Sequence, residues 1–293
     1  MTRDVIWWPD TDEEAARVAV VTVSYNTRDL TALLLWSLYR VLEWRALDVV
    51  VVDNGSTDGS AELLAQTRDA GLCDLIANDA NVSHGPALNQ ALSWLAGRRG
   101  PLAQWAWVLD SDCVIARPDT LHGALSVVEG SDPALVGEPG WDAWHQCETL
   151  GLYSLLLRPS RVWRPPVTPF SAGGNPIHDV LMSARAAGLV TRPFRFTAEG
   201  YVIHRGRGSL AAVAANEERT NPLYAWACDH HEPHFNNVPG ASQKYRDLVA
   251  AFRSDVGTVT GDSLVRSCLR HRPVVRTEDT DRSGRARERR YRL

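Results

Sequence analysis

Lysine is almost missing from this 293-residue chain: of its 31 basic residues only Lys244 is a lysine, and the rest are arginine. That bias points to a GC-rich genome more than to a function. Excess charge is also lacking. The formal net charge is −4, so no basic field marks the whole chain as a nucleic-acid binder. No apolar run is long enough for a membrane span. The longest, around Ala32 to Leu42, is interrupted by Ser37 and Arg40. The acidic stretch Met1 to Glu14 holds no apolar signal core. The five cysteines, Cys73, Cys113, Cys147, Cys228 and Cys268, show no metal-ligand spacing, and their odd number argues against a disulfide framework. A soluble enzyme in a reducing cytoplasm is the expectation. No Gly-x-Gly-x-x-Gly loop is present, which disfavours a dinucleotide dehydrogenase, and no internal repeat is visible.

What the chain does have is alternation of strand and helix. Arg17 to Tyr25 is a β-branched run that stops at Asn26-Thr27-Arg28-Asp29, and Leu30 to Leu42 then carries apolar residues at helical spacing. Leu47 to Val52 reads as a second strand. It ends in the turn-rich Asp53-Asn54-Gly55-Ser56-Thr57-Asp58-Gly59-Ser60, whose last residues can cap a helix over Ala61 to Arg68. A third strand, Asp74 to Ala77, leads through Asn78 to Gly85 into a helix from about Pro86 to Leu95, proline suiting the first turn. The fourth, Trp105 to Leu109, runs into Asp110-Ser111-Asp112. Such spacing predicts βαβ units: an α/β fold with a mostly parallel sheet and helices on both faces.

Asp110 and Asp112 stand where a buried strand emerges at the carboxyl edge of the sheet, the edge at which open α/β sheets bind ligands. Two carboxylates there are either a solvated turn or hard oxygen ligands for Mg²⁺ or Mn²⁺, which in turn hold a diphosphate.

Val20 to Asn26, Val51 to Ser60, Asn81 to Asn89 and Leu109 to Asp112 stand in the order and spacing of family 2 glycosyltransferases of the GT-A fold, which the chain resembles closely over residues 17 to 115 and loosely to about 210. The resemblance implies a donor half over residues 17–125, an acceptor-side and catalytic half over 126–250, an N-terminal extension (1–16) and a C-terminal segment (251–293). It places Ser24, Tyr25 and Asn26 against the nucleotide, with Tyr25 as stacking partner of the base or a core-edge residue. Asp53 becomes the acceptor for the N3–H of uracil or thymine, an ionised carboxylate being an acceptor only; the alternative is an Asx turn. Asn81 and Gly85 belong to the third nucleotide-side motif, Gly85 allowing the backbone near the ligand.

The same resemblance makes Asp112 a direct metal ligand, has Asp110 hold the ribose or a metal-bound water beside Ser111, and draws His204 in Tyr201 to Ser209 to the ion. Arg205 and Arg207 are diphosphate clamps or loop charges. The general base falls on Asp179, the only acid between Trp163 and Glu199, unless it is a helix cap. Here the usual Glu-Asp pair is replaced by His178-Asp179 and the stretch to Gly188 is shorter. His178 either orients Asp179, acts itself, or faces solvent.

Beyond the Asp-x-Asp strand, Leu152 to Leu157 reads as a strand, and Trp141 and Trp144 either pack in the core or stack on an acceptor sugar, near Gly173 and Gly174. Asp229 to His234 lacks the spacing of a zinc-protease helix and reads as a loop. The Arg-rich stretch Arg270 to Leu293 has too few apolar residues to pack a core; it is a solvated disordered tail, or a peripheral contact for acidic lipid or for a phosphorylated acceptor carrier. Three classes follow. One is a metal-dependent inverting glycosyltransferase using UDP, or else dTDP or GDP, as carrier. The second is a nucleotidyltransferase, disfavoured because Val23 to Thr27 is no glycine-rich basic loop. The third is a sugar-nucleotide-binding protein that has lost catalysis. The acceptor stays open among natural product, glycan, lipid carrier and peptide.

Overall fold

The computed structural model describes residues 6, 14–42, 47–98, 102–128, 130–173, 175–204 and 261–271. Its strands are β1 (Glu14–Ser24), β2 (Asp48–Asp53), β3 (Asp74–Ala77), β4 (Leu102–Asp110), β5 (Cys113–Ile115), β6 (Leu135–Asp142), β7 (Cys147–Leu157), β8 (Thr191–Pro193) and β9 (Val202–His204). The helices are α1 (Arg28–Val41), α2 (Ser60–Asp69), α3 (His84–Ala96), α4 (Thr120–Ser126), α5 (Pro159–Val162), α6 (Ile177–Ala186) and α7 (Gly261–His271).

Valine dominates β1 and β2 because both faces of these strands are covered. Val18 and Val20 pack on one side with Val49, Val51, Trp105 and Trp107, against Leu34, Leu35 and Leu38 of α1 and Leu63 and Leu64 of α2. Ala19, Val21 and Val23 point the other way with Val50, Val52, Ala106 and Val108, against Leu88 and Leu92 of α3 and Val180 and Leu181 of α6. Apolar residues at period two on both faces are what a doubly covered parallel sheet requires. Each fully buried leucine contributes about 1.5 to 3 kcal/mol.

The main sheet has the order β3-β2-β1-β4-β7-β6-β8. The first four strands are parallel, β7 is antiparallel to β4 and β6, and β8 is parallel to β6, so β7 alone is reversed. The α/β expectation holds, and the sheet is continuous across residue 125, where the sequence reading divided the chain. The chain steps outward from β1 to β3, then returns to place β4 on the other side of β1. That reversal makes a switch point, with a crevice outside the carboxyl ends of β1 and β4. Register puts Ser24 opposite Asp53 and Val23 opposite Asp110, so Asp53 and Asp110 stand at one edge about two strand spacings, roughly 10 Å, apart.

Several boundaries differ from the sequence reading. β1 begins at Glu14 and so takes in the end of the expected 1–16 extension. α3 begins at His84, two residues before Pro86. β6 was not expected, because Pro139 and Gly140 interrupt its pattern; a register irregularity between Gly137 and Pro139 accommodates them. The C-terminal segment is not all tail: α7 buries Leu264 and Cys268 against α1 and α2, and the Trp36 indole N–H donates to Ser267 Oγ at 3.2 Å. No helix among the described residues is long and apolar enough to cross a membrane.

Candidate active site at the carboxyl edge

The loop after β1 is held by buried hydroxyls. Ser24 Oγ lies 3.0 Å from Thr31 Oγ1 and 3.3 Å from Thr27 Oγ1, and Thr27 Oγ1 donates to Ser111 Oγ at 3.1 Å. Ser24 is fully buried and Ser111 nearly so. Their hydroxyls therefore help tie the first loop to the Asp-x-Asp turn. Asn26 is likewise a loop residue. It takes a left-handed φ of 50°, which asparagine tolerates, its N–H donates to Ser56 Oγ at 3.0 Å, and its Oδ1 accepts from Thr57 N at 2.7 Å. Tyr25 is only 9% exposed, so little of its ring is open for stacking.

Asp53 and Asn54 end β2 with opposite fates. Asn54 is a buried hub: Oδ1 accepts from Asn78 Nδ2 and Val82 N, each at 3.1 Å, and Nδ2 donates to Asn81 Oδ1 at 3.0 Å. Asn81 also accepts from Ser83 N at 2.8 Å, which occupies it within the loop. Asp53 is 2% exposed, and its Oδ1 is buried without a hydrogen-bond partner. Burial pushes its carboxyl above the ordinary range, while hydrogen bonds from Ser56 partly counter that. A buried acceptor without a donor costs stability, and a ligand N–H is what would relieve it.

Asp110, Asp112 and His204 converge. β9 pairs antiparallel with β5 so that His204 stands opposite Cys113, which brings its imidazole to the Asp-x-Asp turn. His204 Nε2 lies 3.3 Å from Asp112 Oδ1 and 3.9 Å from Asp110 Oδ2, and its ring stacks on Tyr153 with centroids 4.0 Å apart. Burial by itself lowers the His204 pKa, but the hydrogen bond and charge of Asp112, with Asp110, outweigh it and the net shift is upward. The Asp110 carboxyl is raised, first by burial and then by Asp112, against the opposing pull of His84 and His204.

His84 was missed by sequence reasoning. Its Nε2 faces Asp110 Oδ1 at 3.5 Å, and both atoms are buried without a hydrogen bond. It follows Ser83, whose φ of 76° is strained for a residue with a side chain, at a cost of about 1 to 3 kcal/mol. Such strain clusters at functional sites. The available signal was a histidine immediately before Gly85-Pro86 at a helix start below the Asp-x-Asp strand.

The close approach that Gly85 permits is by protein backbone: a Cβ there would lie 2.0 Å from the Ser171 carbonyl oxygen. Asn89 clamps the same segment, accepting from Phe170 N at 3.0 Å and donating to its carbonyl at 2.8 Å. The donor edge is thereby joined to the loop that leads into α6. Gly85→Ala is expected to destabilise the fold by about 1 to 3 kcal/mol, the usual cost of overpacking, as read by urea unfolding.

Asp179 sits in the first turn of α6, exposed, and α6 has no side-chain cap hydrogen bond, so Asp179 is not spent as a cap. His178 turns its Nδ1 toward Asp142 and Cys147, 3.8 Å from each. Trp141 and Trp144 are 61% and 76% exposed, on β6 and in the β6–β7 turn, and Gly173 is exposed. Gly174, Arg205, Arg207, Cys228, the Asp229 to His234 cluster and residues 272–293 lie outside the described residues.

Residues 19–137 match the family model described as Glycosyl transferase family 2. Over this segment the chain is similar to glycosyl transferase family 2. The segment runs from β1 into β6 and contains Asp53, His84, Asp110 and Asp112, whereas His204 and Asp179 lie beyond it. Among solved structures, the mannosyltransferase PcManGT from Pyrobaculum calidifontis, in complex with GDP-Man and Mn²⁺, is 18% identical, with 90% of this chain and 83% of that chain covered and a TM-score of 0.49. S. aureus TarS 1–349 in complex with UDP-GlcNAc is 22% identical over 41% of this chain, with a TM-score of 0.34, and the match spans only 33% of that chain. Glucosyl-3-phosphoglycerate synthase from Mycobacterium tuberculosis is 16% identical, with 66% and 73% covered and a TM-score of 0.45. No curated protein matches the chain. The hard donors Asp110 and Asp112 with one imidazole suit a Mn²⁺ or Mg²⁺ ion, and Asp110 Oδ1 is a buried oxygen without a hydrogen-bond partner.

Proposed function

We propose that the chain transfers a sugar from a nucleoside diphosphate carrier, UDP first, to an acceptor nucleophile with inversion at the anomeric carbon. The observation that carries this reading is the convergence of Asp110, Asp112 and His204 on the edge where Asp53 holds an unpartnered buried oxygen. Asp53 accepts the N3–H of the pyrimidine, and the β1 and β2 loops, bonded to each other through Asn26, hold it in place. Asp112 and His204 hold the divalent ion, with Asp110 beside them or joined through water. When bound, that ion supplies Lewis-acid stabilisation of the departing diphosphate. Asp179 removes the acceptor proton from the far side of the sugar.

Release of UDP from a panel of UDP-sugars, with water as surrogate acceptor and Mn²⁺ present, tests the reading. Turnover of one UDP-sugar that stops with a chelator is expected; no UDP release from any would contradict it. Asp53→Ala is expected to weaken uridine nucleotide binding by about ten- to a hundredfold, since a hydrogen bond to a charged group is worth about 1.5 to 3 kcal/mol. Guanosine nucleotide binding should change less. Competition titration reads both.

A further inference from the structure

A second cluster of metal-ligating side chains lies on the β6–β7 hairpin, apart from the donor site. Asp142 ends β6, His145 lies in the turn, Cys147 opens β7 opposite Asp142, and His178 reaches in from the first turn of α6. Asp142 Oδ2, Cys147 Sγ and a His178 ring nitrogen lie within 4.8 Å of one another. His178 Nδ1 is 3.8 Å from both the carboxylate oxygen and the sulfur. Donors bound to a tetrahedral zinc ion at about 2.0 to 2.3 Å stand roughly 3.3 to 3.8 Å from one another.

A further imidazole, His145, stands beside this triad as an outer partner. His145 Nδ1 lies 2.8 Å from Asp142 Oδ2, and the His145 and His178 rings stack in parallel with centroids only 3.5 Å apart. Both Nδ1 atoms therefore approach one carboxylate oxygen. Asn175 Nδ2 donates to that oxygen at 2.8 Å, while Trp144 N and His145 N donate to Oδ1 at 2.9 and 3.1 Å. Burial pushes the Asp142 carboxyl up, but these bonds hold it down at about 2, so it is a permanent anion at neutral pH. Hydrogen bonds to the remaining carboxylate positions are how outer partners orient a metal ligand.

We propose that Asp142, Cys147 and His178 form a second metal site, selective for a borderline-soft divalent ion of the zinc class, with the fourth position open to water. Thiolate and imidazole donors favour such an ion, whereas Asp110 and Asp112 favour Mg²⁺ or Mn²⁺. Binding displaces the Cys147 thiol proton to solvent, and the ion takes over from His145 on Asp142 Oδ2, leaving one neutral imidazole, one thiolate and one carboxylate as protein donors. The ion would staple the hairpin that bears Trp141 and Trp144 to α6, which bears Asp179. The site stands whether or not the transfer reading does.

The test is titration of the chelator-treated full chain with Co²⁺, followed by displacement with Zn²⁺. A thiolate-to-Co²⁺ charge-transfer band in the near ultraviolet, saturating at equimolar Co²⁺ and abolished by Zn²⁺, is the expected result. Cys147→Ser should remove that band, His178→Gln should weaken binding by about tenfold or more, and Asp112→Ala should leave the band intact. Circular dichroism of the metal-free variants establishes that they are folded. Zn²⁺ should also raise the melting temperature of the wild type but not of Cys147→Ser. Absence of the band, or its persistence in Cys147→Ser, would overturn the site.

Discussion

Replacing Asp112 with alanine is expected to lower the rate of sugar transfer by about a thousandfold or more. Stabilisation of a developing diphosphate charge by a bound cation is worth several kcal/mol, and each 1.36 kcal/mol is about a factor of ten in rate. Asp112 is 5% exposed and 3.3 Å from His204. The variant should still fold. Removing Asp112 relieves its repulsion of Asp110 but also removes the partner of His204 at 3.3 Å, two effects of opposite sign. A melting temperature near that of the wild type, with turnover lost, is the expected pair of results. Wild-type turnover would exclude Asp112 from the donor site.

Asp179→Asn should lower turnover by roughly a hundred to ten thousandfold, the range for loss of a general base, while leaving UDP affinity unchanged. Asparagine keeps the shape of the side chain, and an exposed substitution of this kind shifts stability by no more than about 0.5 kcal/mol. The measurement is initial rate against acceptor concentration at saturating donor, with UDP binding measured alongside. Unchanged turnover removes Asp179 as the base. Reduced UDP affinity with unchanged turnover would place it on the donor instead.

The parts of the fold legible in the sequence are those in which one pattern decides the structure. β1, β2 and β4 are β-branched or aromatic runs buried on both faces, and the helices between them keep helical apolar spacing. β6 was hidden because proline and glycine break its pattern, and only pairing with β7 on one side and β8 on the other holds it in the sheet. α7 was hidden by its arginines. Among the described side chains its apolar contacts are Leu264 and Cys268 with Val265 beside them, too few to stand out from the basic run that follows.

The candidate site divides in the same way. Asp53, Asp110 and Asp112 end strands, so their position follows from the strands themselves. The meeting of His204 with Asp112 depends on the β5–β9 pairing across some ninety residues, which no local pattern encodes. Ser24, Asn26, Asn81 and Ser111 stand in the expected loops, and a side-chain oxygen of each is bonded within its own loop or to an adjoining one. Sequence order conveyed that they lie near the site without conveying which way they face. The hairpin cluster was invisible for a further reason: the cysteine spacing is not that of a metal motif, and His178 arrives from a separate helix.

UDP binding measured by titration calorimetry, with and without Mn²⁺, on the wild type and on Asp112→Ala, tests the donor site most directly. Binding that strengthens with Mn²⁺ in the wild type and loses that dependence in Asp112→Ala is the predicted result. Equal affinity with and without Mn²⁺ in the wild type, or no binding at all, would contradict it.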